Sequence, residues 1–182
     1  MSYPTKDDIN KLDTQLTELR LENFIHEDFL TPQWWFLLSL FILPWIAWWF
    51  LVDKGRIKQI WLFGALMSIL IIYLDDIGSE LDLWNYPIKL INIIPRLNPI
   101  DISVLPVMHM LLYQYFTKWK PFLWANFIMA LFNSYIAEPF FVKINIYELT
   151  NWKYSYSLPI YILKAVVIKF ILEKVLLKSK GK

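Results

Sequence analysis

The chain has 182 residues, enough for one compact unit and too few for two ordinary soluble domains. Hydrophobic residues make up 57% and only four are glycine, with no GxGxxG or GxxxxGK, which excludes the common phosphate-cradling loops. Cysteine is absent, so disulfides, thiol chemistry and zinc clusters are excluded, and the net charge of +2 is too small to argue for nucleic acid.

Residues 1–31 are polar and carry seven acids against three bases. Thr5 and Asp8 stand at capping-box spacing, and Asp7 and Asp8 suit the positive end of a helix. Ile9, Leu12, Leu16 and Leu19 follow three-and-four spacing, which predicts a short amphipathic helix. The expected placement of its stripe is against the protein's own surface, with docking to a partner or a second copy as the rival. The acidic balance argues against a membrane-surface helix.

From residue 32 onward the pattern is that of an all-α, polytopic membrane bundle, with five spans near 32–52, 59–84, 99–116, 121–142 and 158–178. In the first, the pairs Trp34-Trp35 and Trp48-Trp49 lie fourteen residues apart. That is about 21 Å of helix, as expected of tryptophan at two interfaces. Pro44 interrupts this span. A basic loop, residues 53–58, leads to the second, whose rhythm through Leu74, Ile77, Leu81 and Trp84 predicts helix as far as Trp84. Asn98, Pro99 and Asp101 predict the start of the third, as N-cap, first and third helical positions. Pro121 opens the fourth, and Pro139 is expected to end or kink it. Residues 143–157 form a connection rich in tyrosine and asparagine, before a fifth span and the basic tail Lys178–Lys182.

The 53–58 loop, the 117–120 turn and the C-terminus gather nine bases on one side, Lys174 included, against seven on the other. The positive-inside rule then places the C-terminus in the cytoplasm and the N-terminus outside a bacterial cell membrane.

With five spans, Asp75, Asp76, Glu80, Asp82, Asp101 and Glu138 all fall towards one membrane face. Asp76 and Glu80 lie one helical turn apart on a stripe, with Asp75, Ser79 and Asp82 on the next. Such carboxylates can hold a cation or serve as an acid, against the plainer reading of solvated helix ends. Asp101 suits the helix dipole, or a shared pocket. Glu138, at a span's end before proline, is a site candidate by default. His109 lies mid-span and reads as a packed core residue or a relay. Lys164 is expected to snorkel to the interface, or to pair with Glu138 or the Asp75-Asp76 acids. Lys169 is placed to pair with Glu173 one turn on. These residues define a candidate acidic pocket of Asp75, Asp76, Glu80, Asp101 and Glu138, with His109 and Lys164 as polar partners and no cofactor or metal.

The run Asp75-Asp76-Ile77-Gly78 through Leu83-Trp84-Asn85-Tyr86-Pro87 continues in Pro99-Ile100-Asp101, Leu105-Pro106-Val107, Tyr113-Gln114-Tyr115-Phe116, Trp119-Lys120 and Glu138-Pro139. Together these resemble an uncharacterised family of small membrane proteins from endospore-forming bacteria, a resemblance that implies no activity. An acid near a span's end, then Trp-x-Tyr, then Pro-x-acid is also similar to the membrane-embedded lycopene cyclase domain. That likeness implies acid-catalysed cyclisation of an isoprenoid, though Pro99-Ile100-Asp101 stands where that family has paired acids. The expected function is a non-enzymatic assembly or ligand-binding component. An intramembrane acid catalyst acting on an apolar lipid is the alternative, and movement of a cation or proton a third reading.

Overall fold

A computed structural model of the chain describes residues 3–92 and 96–176, so the Lys178–Lys182 tail lies outside the described residues. The architecture is all-helical apart from one two-residue bridge. In chain order it runs α1 (Lys6–Asn23), α2 (Pro32–Leu51), α3 (Ile57–Glu80), α4 (Leu105–Tyr115), α5 (Trp119–Phe132), α6 (Glu138–Lys143) and α7 (Tyr154–Phe170). Three helical stretches, Pro32–Leu51, Lys54–Glu80 and Tyr154–Lys174, are long and apolar enough to cross a membrane.

Each end of the bundle is held by specific polar contacts. At one end Gln114 accepts from the Asp53 amide at 2.8 Å and donates to the Leu51 carbonyl at 2.9 Å, while Lys169 donates to the Thr117 carbonyl at 3.0 Å. The 53–58 loop, the end of α4 and the last turns of α7 therefore meet. At the other end β1 (Trp84–Asn85) pairs antiparallel with β2 (Glu148–Leu149), Trp84 opposite Leu149. This bridge ties the two long connections together over the ends of α3 and α6. Between the two ends lies a core of Trp48, Phe63, Met67, Met110, Tyr113, Phe122 and Leu172. Phe63 and Tyr113 stack at 4.4 Å, and Gly64 allows α3 to lie against Met110 where any side chain would collide.

Thr5 and Asp8 form the full capping box of α1, with Asp8 Oδ2 accepting from the Thr5 amide at 2.9 Å. The apolar stripe of α1 does not rest on the protein's own surface: no residue of the helix is buried, and Ile9 and Leu12 are more than half exposed. Among the described residues its second half approaches the body, where Asn92 donates to the Arg20 carbonyl and Leu16 and Leu19 line a groove of about 680 Å³ with Asn85, Tyr86, Pro87, Lys89 and Asn92.

Four expectations at helix ends are corrected. α3 stops at Glu80, not Trp84, because the chain turns back through Asp82 at φ 53° and Trp84 packs onto Gly78. Asn98 is already helical, and the Leu97 carbonyl accepts the first amides, from Ile100 at 3.0 Å and Asp101 at 3.2 Å. α7 begins at Tyr154, four residues early, with Trp152 Nε1 donating to Ser157 Oγ at 3.0 Å in its first turn. Of the end or kink expected at Pro139, the end does not occur: helix runs on over residues 119–143.

The reason for the last is a widened turn. Asn133–Ala137 is π-helical, and the Glu138 amide donates five residues back to Asn133. The same device precedes Pro106, where Ile100–Val104 is π-helical and the Leu105 amide donates to Ile100. A proline has no amide to give and crowds the carbonyl four residues before it. A π turn ending just ahead of it displaces the ladder locally and lets the helix continue.

Candidate functional site

The two π turns and the end of α3 converge on one cavity of about 150 Å³. Asp75 reaches it from the last turn and a half of α3, Asp101 from the first π turn, and Glu138 from the start of α6. Lys164 enters from α7. Asn133 and Ala137 line it from the second π turn, and Trp84, Tyr86, Tyr147, Trp152 and Tyr161 form aromatic walls.

Asp75 is 7% exposed, and one of its oxygens is fully engaged: Oδ1 accepts from Trp84 Nε1 at 2.9 Å and from the Tyr86 hydroxyl. Asp101, 4% exposed, brings its carboxyl beside that of Asp75. The second oxygen of each, Oδ2, is buried without a hydrogen-bond partner among the described residues. A buried polar atom left unpaired costs about 1–3 kcal/mol, so these two oxygens call either for a proton shared between them or for a partner from outside the chain. Carboxyls side by side satisfy one another only through a shared proton or a cation between them.

Glu138 accepts from Ser157 Oγ at 3.0 Å, and Ser157 is itself held by Trp152. The phenols of Tyr86 and Tyr147, in the connections beyond the helices, are both held above the usual tyrosine range. Burial is the main cause for each, with the charge of Asp75 adding at Tyr86 and that of Glu138 at Tyr147. Both therefore stay neutral hydrogen-bond donors.

The candidate residues divide. Asp75, Asp101, Glu138 and Lys164 share the cavity. Asp76 is turned away and bound by Arg96, whose Nε and Nη2 donate to its two oxygens at 2.9 and 2.8 Å. Glu80 is exposed at the end of α3. Neither joins the site: Asp76, next to Asp75, points about 100° away from it, and Glu80 lies on the exposed last turn of α3. His109 is fully buried beside the α4 backbone, Nδ1 2.7 Å from the Leu105 carbonyl, and does not line the cavity. Lys164 does not snorkel. It is 6% exposed, with Nζ 4.1 Å from the centre of the Tyr161 ring, and among the described residues it makes no ion pair. Lys169 does pair with Glu173, at 2.8 Å.

Sequence reasoning did not single out Trp152, Ser157, Tyr147 or Tyr161 as site residues. The one available signal was the concentration of aromatics in the 143–157 connection, which the β1–β2 bridge folds over the cavity. Among the described residues no group of three or more His, Cys, Asp or Glu is placed to hold a metal ion. No protein-family model, curated protein or solved structure matches the chain.

Proposed function

We propose that this is a multi-pass membrane protein, crossing the bilayer five times, that binds a small ligand in the Asp75–Asp101–Glu138 cavity near one membrane face. Besides the three long apolar stretches, residues 98–115 and 119–143 run as continuous helices of spanning length. Large apolar side chains face outward along the bundle, among them Ile42, Phe50, Ile69, Trp124, Ile128 and Leu163. A contiguous outward apolar surface suits lipid contact. The loop charges support a cytoplasmic C-terminus and an external N-terminus, with the cavity towards the outside. The uncovered stripe of α1 suits a protein partner or a second copy of the chain. The motifs around Asp75, Trp84 and Asp101 support membership of the small membrane-protein family of endospore-forming bacteria.

The observation that carries the ligand reading is the pair of unpartnered carboxyl oxygens, Asp75 Oδ2 and Asp101 Oδ2, on one cavity. A volume of about 150 Å³ is comparable with engineered cavities that admit benzene. Because the chain has no cysteine, a single introduced thiol reports on access without background. A small neutral methanethiosulfonate should modify Ala137→Cys, on the cavity wall, and spare Ala130→Cys, which is wholly buried elsewhere. Equal inertness at the two positions would remove the ligand reading.

One observation favours a second reading, intramembrane acid catalysis on an isoprenoid. Asp75, Trp84, Tyr86 and Asp101, the residues of the cyclase-like motif, meet at one place: Trp84 and Tyr86 donate to Asp75, and the Asp101 carboxyl lies beside it. A proton from the carboxyl pair would add to a terminal alkene. The resulting carbocation would close onto a neighbouring double bond and lose a proton back to a carboxylate, with no net redox change. Incubating the purified protein with an acyclic isoprenoid and analysing the products tests this; unchanged substrate rejects it.

A further inference from the structure

The charged groups facing the cavity come from four elements. Asp75, Asp101 and Glu138 supply three carboxyls and Lys164 one ammonium, while the remaining polar groups are neutral phenols, a hydroxyl, indole N–H groups and an amide. The donors that reach the carboxyls are likewise neutral: Trp84 and Tyr86 on Asp75, Ser157 on Glu138. Lys164 is engaged with the face of Tyr161, and no ion pair among the described residues reaches Asp75 or Asp101. Carboxyl groups thus outnumber the single ammonium, and the second oxygens of Asp75 and Asp101, on side chains more than nine-tenths buried, take part in no ion pair among the described residues.

What surrounds those oxygens selects among cations. Trp84 meets Trp152 edge to face at 5.1 Å, and Tyr86 stacks on Tyr147 at 5.6 Å. Aromatic faces attract a cation carrying carbon substituents and shed the water that a small metal ion would keep. Among the described residues the cavity also lacks the convergent donor set of a metal centre. Its volume suits a head group of a few heavy atoms.

We propose that the cavity takes an organic ammonium ion, its positive head beside the free oxygens of Asp75 and Asp101 and its carbon substituents against Trp84, Tyr86, Tyr147 and Trp152. This rests on the cavity being a ligand site reached from water, which the neutral thiol reagent tests separately.

The charge class is tested on Ala137→Cys with two reagents of similar size, trimethylammonioethyl and sulfonatoethyl methanethiosulfonate. Their rate ratio is normalised to that at Ser155→Cys, an exposed position on α7. The cationic reagent should be favoured at position 137 by about tenfold or more, as expected of a carboxyl-lined cleft, and the preference should fall in the Asp75→Asn, Asp101→Asn background. Choline should slow the neutral reagent at the introduced thiol in Ala137→Cys protein that keeps both aspartates, and its uncharged isostere 3,3-dimethyl-1-butanol should not. That comparison stands even where the asparagine variants fail to fold. If the neutral reagent reacts but the normalised ratio is near one and choline gives no more protection than the alcohol, the ammonium assignment is overturned and the ligand cavity stands. If no reagent reaches the thiol at position 137, both fall.

Discussion

The indole of Trp84 lies across Gly78 and donates to Asp75 at 2.9 Å, so one glycine decides whether the inward carboxyl is held. A side chain at position 78 would occupy the space of the Trp84 ring. Gly78→Ala should therefore expel the indole, strip Asp75 of a donor and destabilise the protein by about 2–4 kcal/mol. Trp84→Phe, which keeps the backbone turn and loses only the N–H and some contact, should cost less. Denaturant titration of both variants in detergent checks the order. A Gly78→Ala protein as stable as the parent would mean that Trp84 does not pack there.

Lys169 is wholly buried between Glu173 at 2.8 Å and the Thr117 carbonyl at 3.0 Å, under the rings of Tyr113 and Phe122 at 4.7 and 4.6 Å. Removing the ammonium leaves Glu173, which is 26% exposed, partly compensated by solvent. Lys169→Ala should cost about 2–4 kcal/mol, combining a cavity with the broken pair, whereas Lys169→Met should cost under about 1.5 kcal/mol. If methionine is as damaging as alanine, the charge matters more here than the volume.

Asp28 is buried ahead of α2, and burial with the nearby charge of Glu27 pushes its carboxyl above the usual range, against the pull of Lys89. A raised folded value means that the fold favours the protonated acid. The associated stability is complete below the ordinary carboxylate value, about 3.9, and is lost as pH rises through the raised one. Asp28→Asn should accordingly melt higher than the parent at pH 7.5, with the gap closing towards pH 3.5. A gap that widens on acidification would reverse the sign of the argument.

The five-span reading is checked by reporter fusions. Those after Lys58 and at the C-terminus should report cytoplasmic, and one near Lys89 should report external. Agreement between the Lys58 and Lys89 reporters would put both ends of α3 on one side and end that reading.

Two features show how far local signals reach. The capping box of Thr5 and Asp8 requires contacts only three residues apart, and it forms as its spacing implies. The Lys169–Glu173 pair is local in the same way. Asp75 and Asp76 are neighbours of identical chemistry, and no local signal separates them. Asp76 meets Arg96, twenty residues on, while Asp75 turns towards Asp101 and Tyr86. That difference is decided by how α3 packs against α4 and α7.

Composition, period and the alternation of direction between successive helices were enough to establish the apolar, all-helical character of the chain and its principal helices. They also brought Asp75, Asp101 and Glu138 to one end of the bundle. All three are properties of short stretches of chain and can be read along it. Packing was needed to decide that Lys164 turns inward, that Trp84 folds back over Gly78, and that two π turns carry the helices past Pro106 and Pro139. Each depends on which surface a neighbouring element offers, and a buried side chain's direction is set by the space left to it rather than by its own position in the chain.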